Sequence, residues 1–455
     1  MLREIVHKNW REGTVMKKLS VIVSSVVLLV VFPLLAQGAT KTISQTPMTL
    51  IATLSPSDQT TGMVVRGKTI YLMGTVTGVV STDGFVQAMD STGTVKWSLP
   101  LDNGSNEIAT AATFDSAGNI WVVGSAQTPL AMPNPSTSPT PTTSDTPSAS
   151  PTTSVSASPS ASPTTSVSAS PTPSVLNPDG VSVDPSVPLR PDLTFLSLWK
   201  ISPSGTLLAA YAFDMKSAFL VRSATLVNNK IAIVGLISTP SGHAGFLIQS
   251  DLSGTFGKPI SVGKIDTELN AVARKSDGSL VLLGSSSETL AKQRRKGIKD
   301  GILVVVNPAG KISSVVRSSN TSSTRSWQSA TNSFFLGGDA VSKTKSEAVV
   351  TKFGSTLIPS WTMRLTSRGP ALGTDGPTSH FFVFPSIGAV AGVRGWKPSK
   401  PAALVLSLDS KGLLKGAYGA SAIAMPMAIG YSRDLGLVVL GRGPVGVSVF
   451  HALPR

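Results

Sequence analysis

Short apolar runs of four to eight residues, rich in Val, Ile, Leu and Phe, alternate with small and polar stretches along most of the chain. Runs of this length and β-branched content predict strands rather than helices. Two patterns recur. In the first, an apolar run is closed by glycine: Ile70-Tyr-Leu-Met-Gly74, Ile120-Trp-Val-Val-Gly124, Ile231-Ala-Ile-Val-Gly235, Leu280-Val-Leu-Leu-Gly284, Phe334-Phe-Leu-Gly337, Val390-Ala-Gly392 and Leu437-Val-Val-Leu-Gly441. The glycines are 50, 111, 49, 53, 55 and 49 residues apart, so the one long gap is a normal period plus an insertion. In the second pattern two strands flank a polar-x-x-Gly turn: Asp90–Gly93, Ser202–Gly205, Asp251–Gly254, Asn307–Gly310 and Asp409–Gly412, with Phe353-Gly-Ser355 as a degenerate sixth. An Asp, Asn or Ser oxygen caps its own turn there, and Gly takes the positive φ. Each Asp of these turns therefore has a structural task.

A repeat of about 50 residues holding four strands is one blade of a β-propeller. Seven copies predict an all-β, seven-bladed propeller. With the strands of a blade lettered A (innermost) to D (outermost), the ends of the chain predict how the ring closes. Thr49-Leu-Ile-Ala-Thr-Leu54 precedes the first A–B pair and is an orphan D strand. Val445-Gly-Val-Ser-Val-Phe450 follows the last A–B pair and is an orphan C strand. Pairing the two completes the seventh blade and removes the open edge between first and last. An open array of β-sandwiches is the competing architecture. The segments Phe114-Asp-Ser-Ala-Gly-Asn-Ile-Trp-Val-Val-Gly124 and Met89-Asp-Ser-Thr-Gly-Thr-Val-Lys-Trp97 resemble the broad NHL, WD-repeat and PQQ-type propeller group. The likeness spans roughly residues 48–451 without the insertion; it implies a fold and carries over no active site.

The domain plan has four parts: a leader at 1–39, blades 1 and part of 2 at 48–126, an insertion at 127–193, and the rest of blade 2 through blade 7 at 194–451. In the leader, Met16-Lys17-Lys18 is followed by an apolar run from Leu19 to Leu35 and then Ala36-Gln37-Gly38-Ala39. A basic start, an apolar middle and small residues form a secretory signal, with cleavage after Gly38. An uncleaved membrane anchor is the alternative: the run is about 17 residues, the lower limit for spanning, with Pro33 near its end. Met1 and Met16 both remain open as the true start. The insertion repeats Pro151-Thr-Thr-Ser-Val-Ser-Ala-Ser-Pro159 at 163–171 and is expected to be an extended, disordered Ser/Thr/Pro-rich loop between strands B and C of blade 2. In an exported protein it is a candidate for O-glycosylation; a spacer without a fixed role is the plainer account. The chain has no cysteine, which excludes disulfides, thiolate metal sites and Cys nucleophiles.

Net charge is +15, and the first 18 residues hold five basic and two acidic side chains, so most of the excess belongs to the body. A basic body favours anionic partners. The loop from Ser285 to Asp300 concentrates Lys292, Arg294, Arg295, Lys296 and Lys299, a candidate anion-binding loop joining B to C in blade 4. It should share a face with the insertion. No aromatic residue interleaves the cluster, which argues against stacked single-stranded nucleic acid; a solvated loop is the bland alternative. His243, His380 and His451 fall in different blades and cannot be placed together. No zinc-protease helix, calcium loop, phosphate loop or nucleophile elbow occurs, so no cofactor, metal or catalytic residue is assigned. Glu107 and Glu268, read as preceding A strands, are the candidates for a channel-mouth site. The expectation is an exported, monomeric, non-enzymatic binding or scaffold module at a bacterial cell surface. It would recognise an anionic envelope polymer or a protein partner and touch the membrane only through its N-terminal segment. The alternative is a quinoprotein-like, lactonase-like or lyase-like propeller enzyme. Asp90–Trp97 resembles a PQQ-type blade motif but occurs once, and without a regular tryptophan girdle quinone binding is not expected.

Overall fold

Seven four-stranded antiparallel meanders occupy 58–101, 107–214, 219–262, 267–318, 324–366, 372–420, and 425–452 with 49–53. They come from a computed structural model that describes residues 42–55, 58–77, 81–130 and 189–454. The leader and most of the insertion (131–188) lie outside the described residues. Each A strand packs on the A strands of the blades before and after it, and that of blade 7 (Met425–Ser432) returns to that of blade 1 (Asp58–Arg66), so the seven form a closed ring. The chain is a seven-bladed β-propeller.

Closure follows the pairing expected of the two orphan strands. Strand D of blade 7, Thr49–Thr53, runs antiparallel to strand C, Gly446–Ala452, with Thr49 opposite His451 and Thr53 opposite Ser448. Leu54 N–H donates to Val447 O (2.8 Å), which makes Thr53 and Ser448 a non-hydrogen-bonded pair. The preceding residues extend the clasp. Thr46–Pro47 lies parallel on the outer edge of blade 6, and Ile43–Ser44 pairs with Val393–Arg394.

The apolar core is divided into seven slabs, one in each cleft between neighbouring blades. A middle strand therefore presents both faces to apolar neighbours. In blade 4, strands B (Leu280–Ser286) and C (Asp300–Val306) are buried at every position. The outer strand of blade 5 (Pro359–Thr366) instead alternates between exposed and half-buried positions. Burial on two faces is why the repeat reads as continuous apolar runs rather than as alternation.

The glycine that closes each run has one physical cause. In six of seven blades strand A carries a β-bulge near its start, at Thr61, Thr110, Arg222, Asn270, Gln328 and Met427. The residue before each bulge pairs with the glycine of strand B: Thr60 with Gly74, Ala109 with Gly124, Val221 with Gly235, Leu269 with Gly284, Trp327 with Gly338 and Pro426 with Gly441. The bulge drives a strand A carbonyl onto the glycine. A Cβ at Gly124 would lie 1.7 Å from Ile108 O, and one at Gly284 1.8 Å from Glu268 O. Two copies differ from the sequence expectation. In blade 5 the residue in register is Gly338, one past Gly337. In blade 6 the run Val390-Ala-Gly392 is not strand B at all; strand B is His380–Ser386, and Gly392 lies in the loop beyond it with φ +80°. Strand A of that blade, Leu372–Asp375, pairs without a bulge, so its partner strand needs no glycine.

The turn glycines also have two tasks. Gly205, Gly254 and Gly412 have φ of 90°, 85° and 82°, and each seats an aromatic ring from strand D of the blade before: Trp97, Tyr211 and Trp361. The Trp97 indole N–H also donates to Pro203 O (3.1 Å). At Gly93 and Gly310 the residue met is instead Ile51 and Ile260, so no tryptophan girdle repeats around the ring.

Candidate functional site

Strands alternate in direction, so B–C and D–A connections emerge together on one face of the ring. The basic loop of blade 4 lies there, between Ser286 and Asp300, and its backbone is built from inside. Leu290 is buried in the slab between blades 3 and 4. Leu290 and Gln293 exchange backbone hydrogen bonds (3.1 and 2.8 Å) around Ala291 and Lys292, whose φ values of 45° and 65° form a left-handed two-residue tip. Buried Asp300 accepts from the Lys296 N–H (3.0 Å) and the Gly297 N–H (2.8 Å). A Cβ at Gly297 would lie 2.7 Å from Ser323 O, so only glycine lets the loop pass this close to blade 5.

This scaffold leaves Lys292, Arg294, Arg295 and Lys296 exposed on the long-loop face. The Arg295 guanidinium donates to Ile298 O (2.9 Å). No carboxylate pairs with the four among the described residues, because those of the blade 4 rim are already engaged. Glu288 accepts from the amides of Lys264, Ile265 and Asp266 and from the Thr267 hydroxyl, and Asp300 also accepts from Arg317 (3.3 Å). Burial alone would raise both carboxyls, but these donors hold them below the usual range.

Lys299 departs from the other four. Its ammonium turns inward to Asp266 (2.6 Å) and Glu268 (2.7 Å). Burial acts to lower its pKa, and the two carboxylates more than reverse that. His243, the second residue of strand C in blade 3 (Gly242–Asp251), brings Nε2 to 3.3 Å from Asp266 and 3.7 Å from Glu268 without a hydrogen bond. Blades 3 and 4 thus hold a compact group of His243, Asp266, Glu268 and Lys299 in which the chain supplies its own cation. Sequence reasoning missed Asp266 and the partnership with His243, because these residues come from different blades and no local spacing links them.

Two charged groups in neighbouring blades sense Glu268. Arg222, the bulge residue of blade 3, keeps solvent access yet is surrounded by protein, and that enclosure lowers its pKa while Glu268 opposes the shift. Asp339, on strand B of blade 5, is pushed up to about 6, first by burial and then by the charge of Glu268. The sign of the consequence follows from proton counts. Between pH ~4 and ~6 an unfolded Asp339 ionises while the folded one stays protonated, so stability falls as pH rises through that window and the full penalty remains above it. Asp339→Asn is therefore expected to stabilise the protein at pH 7.5, by up to about 3 kcal/mol, and to have no effect near pH 3. Urea denaturation at the two pH values checks this; an equal change at both would contradict it.

The other sequence candidates are not brought together. Glu107 opens strand A of blade 2 and Glu268 is the second residue of strand A of blade 4, so both lie within their strands rather than before them, and blade 3 separates them. His380 is on blade 6, with Nδ1 2.6 Å from Asp375 and its ring stacked on Phe335 at 3.8 Å. His451 lies within strand C of blade 7, opposite Thr49.

No protein-family model matches the chain, and no curated protein matches it in sequence. Among solved structures it is similar to the WD40 domain of coronin from Toxoplasma gondii (10% identity over 91% of this chain and 89% of that one, TM-score 0.45). It is similar to the Pan2 WD40 domain from Neurospora crassa (8% identity over 91% of this chain and 97% of that one, TM-score 0.47). The β-propeller domain of the Trilobed protease from Pyrococcus furiosus is a further likeness (8% identity over 88% of this chain and 94% of that one, TM-score 0.45).

Proposed function

We propose that the propeller is a non-enzymatic binding module that holds an anionic polymer on its long-loop face through the blade 4 loop. One observation carries the reading: four cations stand exposed on a loop whose backbone is fixed by Asp300 and Gly297, while the carboxylates beneath them are engaged within the fold. A display of ammonium and guanidinium groups that have no carboxylate partner among the described residues favours phosphate or carboxylate through charge-assisted hydrogen bonds. Beside the loop tip, a cleft of 740 Å³ between blades 3 and 4 offers room for the polymer backbone, with Lys264, Glu288, Leu290 and Ala291 in its lining. Export to a bacterial cell surface, where such polymers abound, rests on the leader-like sequence at 16–39. Lys299 has no part in the binding, since its charge is spent inside.

The test is binding of the full chain to a soluble polyphosphate and to a polyglycerol phosphate, beside a variant with Lys292, Arg294, Arg295 and Lys296 all changed to Gln. The expected result is a loss of affinity of roughly 30-fold or more in the variant, and a weakening of the parent as salt rises from ~50 to ~300 mM. Equal affinity of variant and parent, or binding insensitive to salt, would remove the reading. Capture of a protein partner by both forms alike would give the face a different occupant.

A further inference from the structure

We propose that blades 1 and 2 share a binding site for a hard divalent cation of the calcium class, formed by Asp83, Asp102 and Glu107. The fold brings three strand ends together here. Asp83 is the second residue of strand C in blade 1 (Thr82–Met89), Asp102 follows strand D (Val95–Leu101), and Glu107 opens strand A of blade 2 (Glu107–Phe114). All three ends lie on the long-loop face, and a carboxylate oxygen from each falls within 4.8 Å of the others. That is close enough for one ion to touch all three, and the flexible oxygen shell of Ca²⁺ suits donors set by separate strand ends better than the near-ideal octahedron that Mg²⁺ demands.

An acidic cluster alone is common and proves nothing; Glu107 supplies the independent sign. Its side chain is fully buried, at 0% exposure, and its Oε2 has no hydrogen-bond partner. A buried carboxylate oxygen left bare costs free energy unless something satisfies it. Burial pushes the Glu107 carboxyl up; hydrogen bonds from the Ser105 hydroxyl and the Asn103 backbone offset part of this, and the charges of Asp102 and Asp83 add to it, so the net shift stays upward. Each carboxylate is meanwhile oriented through one oxygen by a neutral donor: Asp83 by the Ser81 hydroxyl (2.6 Å), Asp102 by the Gly104 N–H (2.7 Å), Glu107 by the Ser105 hydroxyl (2.6 Å). Neutral donors fix geometry without cancelling charge.

The comparison within the molecule is direct. The other close carboxylate group, Asp266 with Glu268, has the Lys299 ammonium set between its oxygens. At Asp83, Asp102 and Glu107 no side-chain cation makes an ion pair among the described residues; the nearby Arg190 is committed to Asp192 (2.5 Å). An all-oxygen donor set of carboxylates suits Ca²⁺ over zinc or copper, which favour imidazole and thiolate. The sequence carried no calcium-loop spacing because the donors come from three strand ends at 83, 102 and 107. The bound ion would tie the outer strands of blade 1 to the inner strand of blade 2, which makes it a structural ion.

The experiment uses the full chain, freed of metal by chelation and titrated with Ca²⁺ by calorimetry, with Tm recorded in parallel. Mg²⁺ forms a second arm, and Glu107→Gln is the variant. Expected are one Ca²⁺ per chain, a Tm that rises with Ca²⁺ concentration, and weaker Mg²⁺ binding. Glu107→Gln should lose at least tenfold in Ca²⁺ affinity while melting, without metal, no lower than the parent, since it removes a buried charge. No heat and no Tm change up to about 10 mM Ca²⁺ would overturn the proposal. Full Ca²⁺ affinity in Glu107→Gln, or Mg²⁺ binding as tight as Ca²⁺, would overturn it as well. If the variant does not fold, Asp83→Asn with Asp102→Asn replaces it under the same criteria.

Discussion

Removing residues 43–55 is expected to destabilise the propeller more than any single substitution, by on the order of 5 kcal/mol, and to leave a protein that self-associates. The segment supplies strand D of blade 7 and with it the ladder to Gly446–Ala452. It also places Ile51, Ala52 and Leu54 against the slab between blades 7 and 1, and Met48 in the slab between blades 6 and 7. Burying Met48, Ile51 and Leu54 contributes roughly 1 to 2 kcal/mol each and Ala52 less, against a total stability of about 5–15 kcal/mol for a typical domain. What remains is an unpaired edge on strand C of blade 7, a template for pairing with a second copy. Guanidinium denaturation and size-exclusion chromatography read the two effects. A monomer of undiminished stability would show that the ring does not depend on this strand.

Gly284→Ala is expected to cost about 3 kcal/mol or more. The new methyl group would sit 1.8 Å from Glu268 O and 3.0 Å from the Leu269 Cα, and both neighbours are backbone held by the bulge at Asn270. Neither can move aside by rotating a side chain, so the clash must be relieved by undoing the bulge or by separating strands A and B of blade 4. The Asn270 side chain donates to Trp327 O of blade 5 (3.0 Å), so displacement of the bulge also loosens the contact between blades. Gly388→Ala is the matched control, since nothing lies within 4 Å of its added methyl group and its φ is not in the left-handed region. Equal urea midpoints for the two variants would contradict the bulge account.

The same glycine shows how much of the fold was legible in the sequence and where legibility stopped. A run closed by glycine marks strand B because the bulge repeats, and six blades obey it. Blade 6 misleads because its short, unbulged strand A frees the partner strand to read His380-Phe-Phe-Val-Phe-Pro-Ser386, and a loop glycine at 392 then mimics the motif. Turns were readable for a local reason: Asp90, Asp251 and Asp409 each accept amide hydrogen bonds from residues two and four positions on. Closure was readable because an orphan strand at each end needs a partner.

The candidate site was legible only as far as its chemistry is local. The cations of the blade 4 loop are contiguous in sequence and remain together in space. That Lys299 alone turns inward depends on Asp266 and Glu268, more than 30 positions earlier, and on the D–A connection that places them beside it. Asp83, Asp102 and Glu107 are likewise united only by the meander. Pairing across blades is set by the ring, and no spacing along a single strand encodes it.

Closure of the ring by the N-terminal strand is the claim on which the placement of every site rests, and a disulfide tests it most directly. Thr53 and Ser448 face each other as a non-hydrogen-bonded antiparallel pair, the arrangement with Cα atoms about 4.5 Å apart that a disulfide can bridge. The chain has no cysteine of its own, so Thr53→Cys with Ser448→Cys introduces the only two thiols. Mild oxidation of the folded protein, followed by intact mass and thiol counting, is the measurement. An intramolecular bond in a monomer, lost after unfolding and reduction, is the predicted result. Two free thiols in the folded monomer, or disulfides that form only between chains, would contradict the closed ring.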